Sequence, residues 1–298
     1  MNLNTNAEKQ QPSLLADIRS VETTIFLEAH NGLSARIVEE AGFRGIWASG
    51  LTISSSLGVR DANEASWTQI AEVVNQMVDA TKLPILVDGD SGYGDFNTAR
   101  RVSRKLQKIG AKGICLEDKQ FPKMNSFIGS RQPLADVDVF SGILKAVKDA
   151  LVDEEFVLVA RTEALVAERS LNEALDRAYA YEEAGADAIL VHSKQKVADE
   201  VVAFAQAWRG TCPLVIVPTT YKVTPKLLED NGFSAVIWAN HLLRASITAM
   251  QQASAQIRDG GPEMLEGTIV PVSEIFRMLN YVELERDQQV YSGVSRER

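Results

Sequence analysis

Two short apolar runs in this 298-residue sequence end in carboxylates. Asp88 and Asp90 follow the run LPILV, and Glu117 follows the run GICL. Oxygen ligands without His or Cys favour Mg²⁺, Ca²⁺ or Mn²⁺, and a site that uses few carboxylates and keeps several waters suits Mg²⁺. These acids therefore predict a magnesium site, at which Mn²⁺ would also fit. The alternative is that they only form ion pairs with Lys or Arg.

Two further polar side chains end apolar runs in the second half of the chain. Arg161 ends FVLVAR, and His192 ends AILVH. A guanidinium could bind a carboxylate or a phosphoryl group with two hydrogen bonds. An imidazole could donate to a phosphoryl oxygen or transfer a proton. A structural ion pair for Arg161, and a hydrogen bond without catalytic use for His192, remain open.

A long segment of low apolar periodicity, KQFPKMNSFIGSRQPLAD, covers residues 119–136. Long loops at an active site are candidates for lids, and we call this segment the lid loop. Lys123, Asn125 and Ser126 give it hydrogen-bond donors. A closing lid would remove water from a reactive phosphoryl group and position it. An ordinary surface loop is the alternative.

The chemistry-bearing residues lie at the ends of eight short runs rich in Val, Ile and Leu. These runs are continuous rather than alternating, which is typical of strands buried on both faces. Helical segments separate them, and several end at a Gly just before the next run, as in AGADAILVHS,. The predicted strands end near Glu28, Ser49, Asp88, Glu117, Arg161, His192, Pro218 and Asn240.

Eight strand-helix units in about 250 residues predict an α/β fold, the (β/α)8 TIM-like barrel. A doubly wound open sheet is the main alternative. We expect one domain, with the barrel over about residues 22–258 and a C-terminal segment and tail over about 259–298. In such a barrel the active site lies at the C-terminal ends of the strands, where the polar residues above are placed.

Composition narrows the class of ligand. The net charge is −9 and no dense Lys/Arg run is present, which argues against a nucleic-acid partner,. The sequence has no signal peptide and no apolar stretch of roughly 18 to 20 residues, so we predict a cytoplasmic protein with no membrane partner and a small-molecule substrate. Cys115 and Cys212 lack metal-ligand spacing and are predicted to be buried free thiols,.

Six motifs, taken together, resemble the phosphoenolpyruvate mutase family of the isocitrate lyase superfamily. They are GFRGIWASGL, LVDGDSGYGDFNTARR, LEDKQFPKMNS, ARTEAL, ADAILVHS and VIVPTTY. The likeness covers about residues 24–284. It implies a TIM-like barrel whose last helix is exchanged with a partner subunit, in a homo-oligomer built as a dimer of helix-swapped dimers.

The resemblance also implies roles for individual residues. Mg²⁺ would be held chiefly by Asp88, with Asp90 and Glu117 acting mostly through bound water. The N–H groups of residues 49–51 would meet the substrate's carboxylate and enolate oxygens, and Trp47 would wall the pocket. The predicted substrate-binding set is Trp47, Ser49, Gly50, Leu51 and Ser126. The predicted catalytic set is Asp61, Lys123, Asn125, Arg161 and His192.

The lid loop separates the activities found in this superfamily. Carbon-carbon lyases carry a Cys acid in the lid, and phosphonopyruvate hydrolases tend to carry Thr at the position of Asn125. This chain has Lys123, Met124 and Asn125, and no lid Cys. The resemblance therefore implies an isomerase that interconverts phosphoenolpyruvate and 3-phosphonopyruvate by intramolecular phosphoryl transfer. The alternatives are the hydrolase, a carbon-carbon lyase, and a non-catalytic barrel that binds a metabolite.

This implied reaction forms a carbon-phosphorus bond, as phosphonate biosynthesis requires. Because formation of that bond is uphill, the resemblance also implies functional coupling to a downstream enzyme that removes phosphonopyruvate. Such an enzyme is a metabolic partner and need not touch this protein.

Overall fold

The computed structural model describes residues 13–125 and 133–292. Two compact units are found, of which the first ends at Leu243 and the second begins at Arg244. The predicted boundary near residue 258, within a single domain, stays a prediction.

The first unit is built around eight parallel strands. Each strand pairs with the next along the chain, and β8 pairs with β1, so the sheet is a closed barrel. The strands are β1 (Thr24–Ala29), β2 (Gly45–Ala48), β3 (Ile85–Asp88), β4 (Gly113–Glu117), β5 (Val157–Thr162), β6 (Ala188–Val191), β7 (Leu214–Ile216) and β8 (Phe233–Trp238). The (β/α)8 barrel is confirmed, and the open sheet is excluded by the β1–β8 pairing.

Helices precede, alternate with and follow the strands. Those of the first unit are α1 (Leu14–Ile18), α2 (Gly32–Glu40), α3 (Gly50–Ser56), α4 (Trp67–Ala80), α5 (Phe96–Ile109), α6 (Val137–Lys148), α7 (Leu171–Glu183), α8 (Asp199–Ala207) and α9 (Pro225–Asp230). Those that follow β8 are α10 (His241–Gly260), a 3₁₀ helix (Pro262–Leu265), α11 (Val272–Met278) and α12 (Tyr281–Tyr291).

The barrel interior is a separate apolar cluster. Phe26, Trp47, Leu86 and other strand side chains fill it, and Leu14 of α1 packs into the same cluster. A side chain at Gly113, the first residue of β4, would collide with Leu14. Helix α1 therefore covers the end of the barrel at which the strands begin. The other end, at which the strands finish, remains for the active site.

A second apolar cluster lies between the strands and the surrounding helices. It includes Ile70, Val74 and Met77 of α4, which are fully or almost fully buried. Side-chain caps fix where these helices begin: Ser66 accepts a hydrogen bond from the amide of Gln69 at the start of α4. Because strands and helices share this buried cluster, the barrel gives firm support to the side chains at its rim,.

The observed strand ends agree with the sequence-based ends to within two residues. Strands β3 and β4 end at the predicted residues Asp88 and Glu117, whereas β7 ends at Ile216, two residues early. Across the described residues, none of the helices combines the length and the apolarity that a bilayer crossing requires.

The second unit contains most of α10 and all of α11 and α12. Many of its apolar side chains are exposed: Phe276 is 44% exposed and Val282 is 75% exposed. An apolar surface of this kind is typical of a protein-protein contact. The predicted exchange of the last helix between subunits stays a prediction.

Candidate active site

The C-terminal ends of β3 and β4 bring two predicted metal ligands to the rim of the barrel. Asp88 is the last residue of β3, and Glu117 is the last residue of β4. The parallel register places Glu117 next to Arg161 of β5. Both carboxylates are buried. The sheet itself therefore fixes the level of these acids, because parallel strands end at one rim.

The turn after β3 places Asp90 beside Asp88. Asp90 has a φ of 50°, in the left-handed region, and its Oδ2 accepts a 2.8 Å hydrogen bond from the side-chain amide of Asn63. The N–H of Gly50, at the start of α3, donates to Asp88 Oδ2 over 3.1 Å. A side chain at Gly50 would lie 3.2 Å from oxygens of both acids. The junction of β2 and α3 therefore packs directly against the acid pair.

Lys123 of the lid loop reaches into this group of acids. Its Nζ lies 2.5 Å from Asp90 Oδ1, 2.9 Å from Asp61 Oδ1 and 4.0 Å from Glu117 Oε1. Its backbone N–H donates to Asn63 Oδ1 over 2.6 Å. Burial alone would lower the pKa of Lys123, but the surrounding acids raise that pKa well above its usual value. Lys123 is therefore a charged anchor of the lid loop.

Asn125 adds a second anchor on the same aspartate. Its Nδ2 donates to Asp61 Oδ2 over 2.6 Å. Burial alone would raise the pKa of Asp61, but Lys123 and Asn125 lower it below its usual value. An ionised Asp61 therefore orients both predicted lid donors.

Burial disfavours the charged forms of Asp88 and Asp90, which lie at and just after the end of β3. Burial is the largest cause that raises the pKa of Asp88, and it raises the pKa of Asp90 to about 7. Lys123 opposes both shifts. Desolvated carboxylates of this kind are stabilised by any cation placed among them.

In this arrangement lysine and arginine supply the compensating charge. Arg161 Nε lies 3.5 Å from Glu117 Oε2, in addition to the contacts of Lys123. Among the residues that the structure describes, no group of three or more His, Cys, Asp or Glu side chains has the arrangement of a metal centre. Asp90 and Glu117 therefore lie beside cationic side chains, whereas Asp88 accepts a hydrogen bond from the N–H of Gly50.

Arg161 and His192 form a buried group around Glu163. Arg161 Nε forms an ion pair with Glu163 Oε1, and its Nη2 lies 2.8 Å from His192 Nδ1. The same Glu163 oxygen lies 2.9 Å from His192 Nδ1. Nδ1 accepts from Arg161 in one tautomer and donates to Glu163 in the other. Burial lowers the pKa of His192, which favours the neutral ring.

These side chains surround one cavity of about 460 Å³, a volume that includes open solvent at its mouth. The lining consists of Trp47, Ser49, Leu51, Asp61, Asp88, Glu117, Lys123, Asn125, Arg161, His192, Val217, Thr219, Ala239 and Asn240. The lining holds acids and cations together, and Trp47, Leu51 and Val217 add apolar surface. A small charged molecule suits such a cavity.

Most of the predicted site residues meet at this cavity. Gly50 and Asp90 are absent from its lining and instead support it from behind, through Asp88 and Lys123. Ser126 lies outside the described residues.

Three polar residues that hold the site together are outside the predicted site set. Glu163 and Lys119 closely follow predicted strands, and this position indicates that they lie near the rim of the barrel. It does not reveal which side chains they pair with. Asn63, which bonds to both Asp90 and Lys123, lies in a loop without any such signal.

Neither thiol is part of the cavity lining. Cys115 is buried among the interior side chains of the barrel, and burial raises the pKa of its thiol well above the usual value. Burial also raises the pKa of Cys212, to about 12. Both are free thiols, as predicted. The predicted burial is confirmed for Cys115 and wrong for Cys212, which is only partly buried.

The chain is similar to known proteins over most of its length. A sequence profile of the family described as phosphoenolpyruvate phosphomutase matches residues 15–258. A phosphoenolpyruvate phosphomutase of Tetrahymena pyriformis is 49% identical over 277 residues, which cover 92% of each chain. A phosphonopyruvate hydrolase of Variovorax sp. is 40% identical over 271 residues, covering 89% of this chain and 90% of the relative.

Solved structures show the same similarity. The crystal structure of a phosphoenolpyruvate phosphomutase from Streptomyces platensis subsp. rosaceus has a TM-score of 0.90 at 39% identity, covering 93% of this chain and 99% of that one. A phosphonopyruvate hydrolase in complex with oxalate and Mg²⁺ has a TM-score of 0.88 at 37% identity, covering 93% of this chain and 97% of that one.

Proposed function

The chain belongs to the phosphoenolpyruvate phosphomutase family, and we propose that it interconverts phosphoenolpyruvate and 3-phosphonopyruvate. The P–O bond of phosphoenolpyruvate breaks and a P–C bond forms at the methylene carbon, so the two compounds are isomers and no water or proton is consumed. The observation that carries the proposal is the lid loop, which presents the Asn125 amide to the cavity where a lyase would need an acidic thiol.

Arg161, His192 and Asn125 are the groups that hold the transferring phosphoryl group. All three line the cavity and can donate hydrogen bonds to its oxygens,. Phosphoryl transfer passes through a loose, metaphosphate-like state, so positioning and charge contribute more than covalent chemistry. Glu163 fixes the directions of Arg161 and His192 before the substrate arrives.

Asp61 and the apolar wall keep the reaction intramolecular. Asp61 holds Lys123 and Asn125 of the lid loop over the cavity, and Trp47 and Leu51 add water-excluding surface. Exclusion of water matters because capture of the phosphoryl group by water would give pyruvate and phosphate. Ser49 and Leu51 also line the cavity, which supports the role proposed for the N–H groups of residues 49–51, binding of the substrate's carboxylate and enolate oxygens. In the structure the N–H of Gly50 donates to Asp88.

Asp88, Asp90 and Glu117 are the residues that would hold Mg²⁺, with Mn²⁺ as a possible substitute. Their chemistry fits: the carboxylates are buried, and Glu117 Oε1 accepts no hydrogen bond from any of the residues 13–125 and 133–292. The Mg²⁺ bound by the related hydrolase supports the assignment. When bound, the ion would stabilise negative charge on the enolate oxygen. Lys123, which now neutralises Asp90, would then contribute its charge to the substrate.

We further propose a homo-oligomer in which the apolar surface of the C-terminal unit is covered by another subunit, as a dimer of helix-swapped dimers. The exposure of Phe276 and Val282 supports this assembly. Functionally, the product must be removed by a second enzyme that consumes phosphonopyruvate, because the equilibrium of the isomerisation favours phosphoenolpyruvate.

A coupled assay tests the function. The protein is incubated with phosphonopyruvate, Mg²⁺, lactate dehydrogenase and NADH, with and without pyruvate kinase and ADP. The proposal expects NADH oxidation only when pyruvate kinase and ADP are present, because phosphoenolpyruvate must first become pyruvate. Oxidation with lactate dehydrogenase alone would show a hydrolase or a lyase-like release of pyruvate. Loss of the signal with EDTA, and its return with excess Mg²⁺ or Mn²⁺, tests the metal.

A further inference from the structure

Lys119 occupies the point where the lid loop leaves the barrel. It follows β4 by two residues and is 5% exposed. Its backbone forms an antiparallel bridge with Leu134, near the other end of the loop. One position along, the amide of Ala135 donates to the carbonyl of Asp118 over 2.8 Å. The two ends of the lid loop are therefore held together at Lys119.

The ammonium group of Lys119 joins the loop to two buried acids. Its Nζ donates to the carbonyl oxygen of Met124 over 3.2 Å. The same Nζ lies 3.4 Å from Glu163 Oε2 and 3.7 Å from Glu117 Oε1. An ammonium has three donors, so it can serve the loop backbone and the acids at once.

Glu163 continues this chain of contacts into the site. While Oε2 faces Lys119, Oε1 contacts Arg161 Nε and His192 Nδ1. The lid loop and the phosphoryl-binding pair are thus connected through one buried carboxylate. In buried surroundings of low polarity, removal of one of these charged groups affects the contacts of the others.

We propose that Lys119 is a positioning residue that couples docking of the lid loop to the orientation of Arg161 and His192. Lys123 already binds the loop to Asp61 and Asp90. Lys119 adds an independent connection, from the Met124 carbonyl to Glu163. The docking part of this proposal stands on contacts alone. Its catalytic consequence, that an undocked loop admits water and yields pyruvate and phosphate, rests on the proposed function.

The test replaces the ammonium and keeps the length of the side chain, in Lys119→Met. Lys148→Met is the matched control, because Lys148 forms a partly buried ion pair with Asp187, 2.6 Å apart, away from the cavity. Two quantities are measured at a temperature where both variants are folded: the rate of tryptic cleavage after Lys123, and the share of converted phosphonopyruvate that ends as pyruvate and phosphate. Lys119→Arg tests rescue by a retained charge.

We expect Lys119→Met to be cleaved after Lys123 roughly tenfold faster than wild type, because cleavage follows the open population. The hydrolysed share should rise about fivefold or more, since the loop no longer excludes water. Lys148→Met should match wild type in both, and Lys119→Arg should recover part of the protection. Cleavage of Lys119→Met at the wild-type rate would overturn the docking role whatever the reaction. Faster cleavage with an unchanged product share would overturn the coupling between loop docking and the phosphoryl-binding pair. A wild type that makes no phosphoenolpyruvate would overturn the proposed function and leave the docking role standing.

Discussion

At the scale of single residues, Arg161 joins three polar side chains of the site. It contacts Glu163 and Glu117 through Nε and His192 through Nη2, two nitrogens of one planar group. An ammonium cannot reproduce these directions. We expect Arg161→Lys to lower kcat/KM roughly 10²- to 10³-fold, which corresponds to about 3 to 4 kcal/mol. Steady-state kinetics with phosphonopyruvate measure this loss in kcat/KM.

The control for that substitution is Arg169→Lys, at a largely exposed arginine that lies 4.0 Å from Glu173. It should leave kcat/KM within about twofold of wild type, because exposed ion pairs contribute little. An Arg161→Lys enzyme with nearly normal kcat/KM would show that the guanidinium geometry is not used.

Asn125 is expected to affect what the reaction makes as well as how fast it runs. Asn125→Ala removes the amide that joins the lid loop to Asp61 and that faces the cavity. Isomerisation should slow by about 10²-fold, the loss typical of one misplaced positioning group, and the share of phosphate in the product should rise. Asn75→Ala, at a partly exposed Asn of α4 whose Nδ2 donates to Asp79, is the matched control. Phosphorus NMR of both products gives the rate and the share together, and an unchanged share would contradict the assigned role.

The sequence predicts the positions of several site residues but not which side chains pair with one another. Asp88, Glu117 and Arg161 were predictable because each is the last or the last but one residue of a buried strand, and the fold brings strand ends to one rim,. The pairing of Lys123 with Asp61 and Asp90 was not predictable, since it depends on how a long loop returns across the barrel.

At the scale of elements, a buried hydrogen-bond group fastens α7 to β4. Asp118 Oδ2 accepts a 2.7 Å bond from the Tyr181 hydroxyl and lies 3.2 Å from Arg177 Nη1, while Oδ1 accepts from the amide of Glu163. Burial raises the pKa of Asp118 to about 6, and these donors oppose that shift. The group positions Glu163 by its backbone and so supports the site indirectly.

Tyr181→Phe is expected to destabilise the protein in a pH-dependent way. At pH 8 Asp118 is ionised and loses a charge-assisted bond, at a cost of about 1.5 to 3 kcal/mol. The variant's folded-state pKa for Asp118 rises further above the unfolded value, so the stability difference shrinks as pH falls through the variant's pKa towards the wild-type value of about 6, and it changes little below that,. Tyr179→Phe, which loses an exposed contact to the Arg209 amide, is the control. Denaturant unfolding at pH 8 and pH 5 measures both, and an equal Tyr181→Phe penalty at the two pH values would contradict the account.

Strand positions were predicted well because continuous Val, Ile and Leu runs are rare outside buried strands. The end of β7 was placed two residues late, because Val217 and Pro218 extend the apolar run beyond the last ladder pair at Ile216. Periodicity could not reveal how the helices after β8 are packed, since their apolar faces are exposed in the single chain.

At the scale of the whole molecule, the apolar surface of the C-terminal unit predicts an assembly. Phe276 lies against Tyr281, with ring centroids 4.6 Å apart, and both are exposed. We expect a native mass that is a multiple of the 32.7 kDa chain, and we expect Phe276→Asp to reduce it, since a buried unpaired charge opposes association. Light scattering after size exclusion measures the mass. Val152→Asp, at an 85% exposed position, is the control, and a monomeric wild type would contradict the assembly.

The central claim is that the phosphoryl group moves within one molecule without meeting water. Phosphorus NMR of the protein with phosphonopyruvate and Mg²⁺ in ¹⁸O-enriched water tests it most directly, because incorporated ¹⁸O shifts the phosphorus signal. The account predicts phosphoenolpyruvate as the first product, with no ¹⁸O on its phosphorus. Inorganic phosphate carrying ¹⁸O, formed together with pyruvate and without phosphoenolpyruvate, would contradict it.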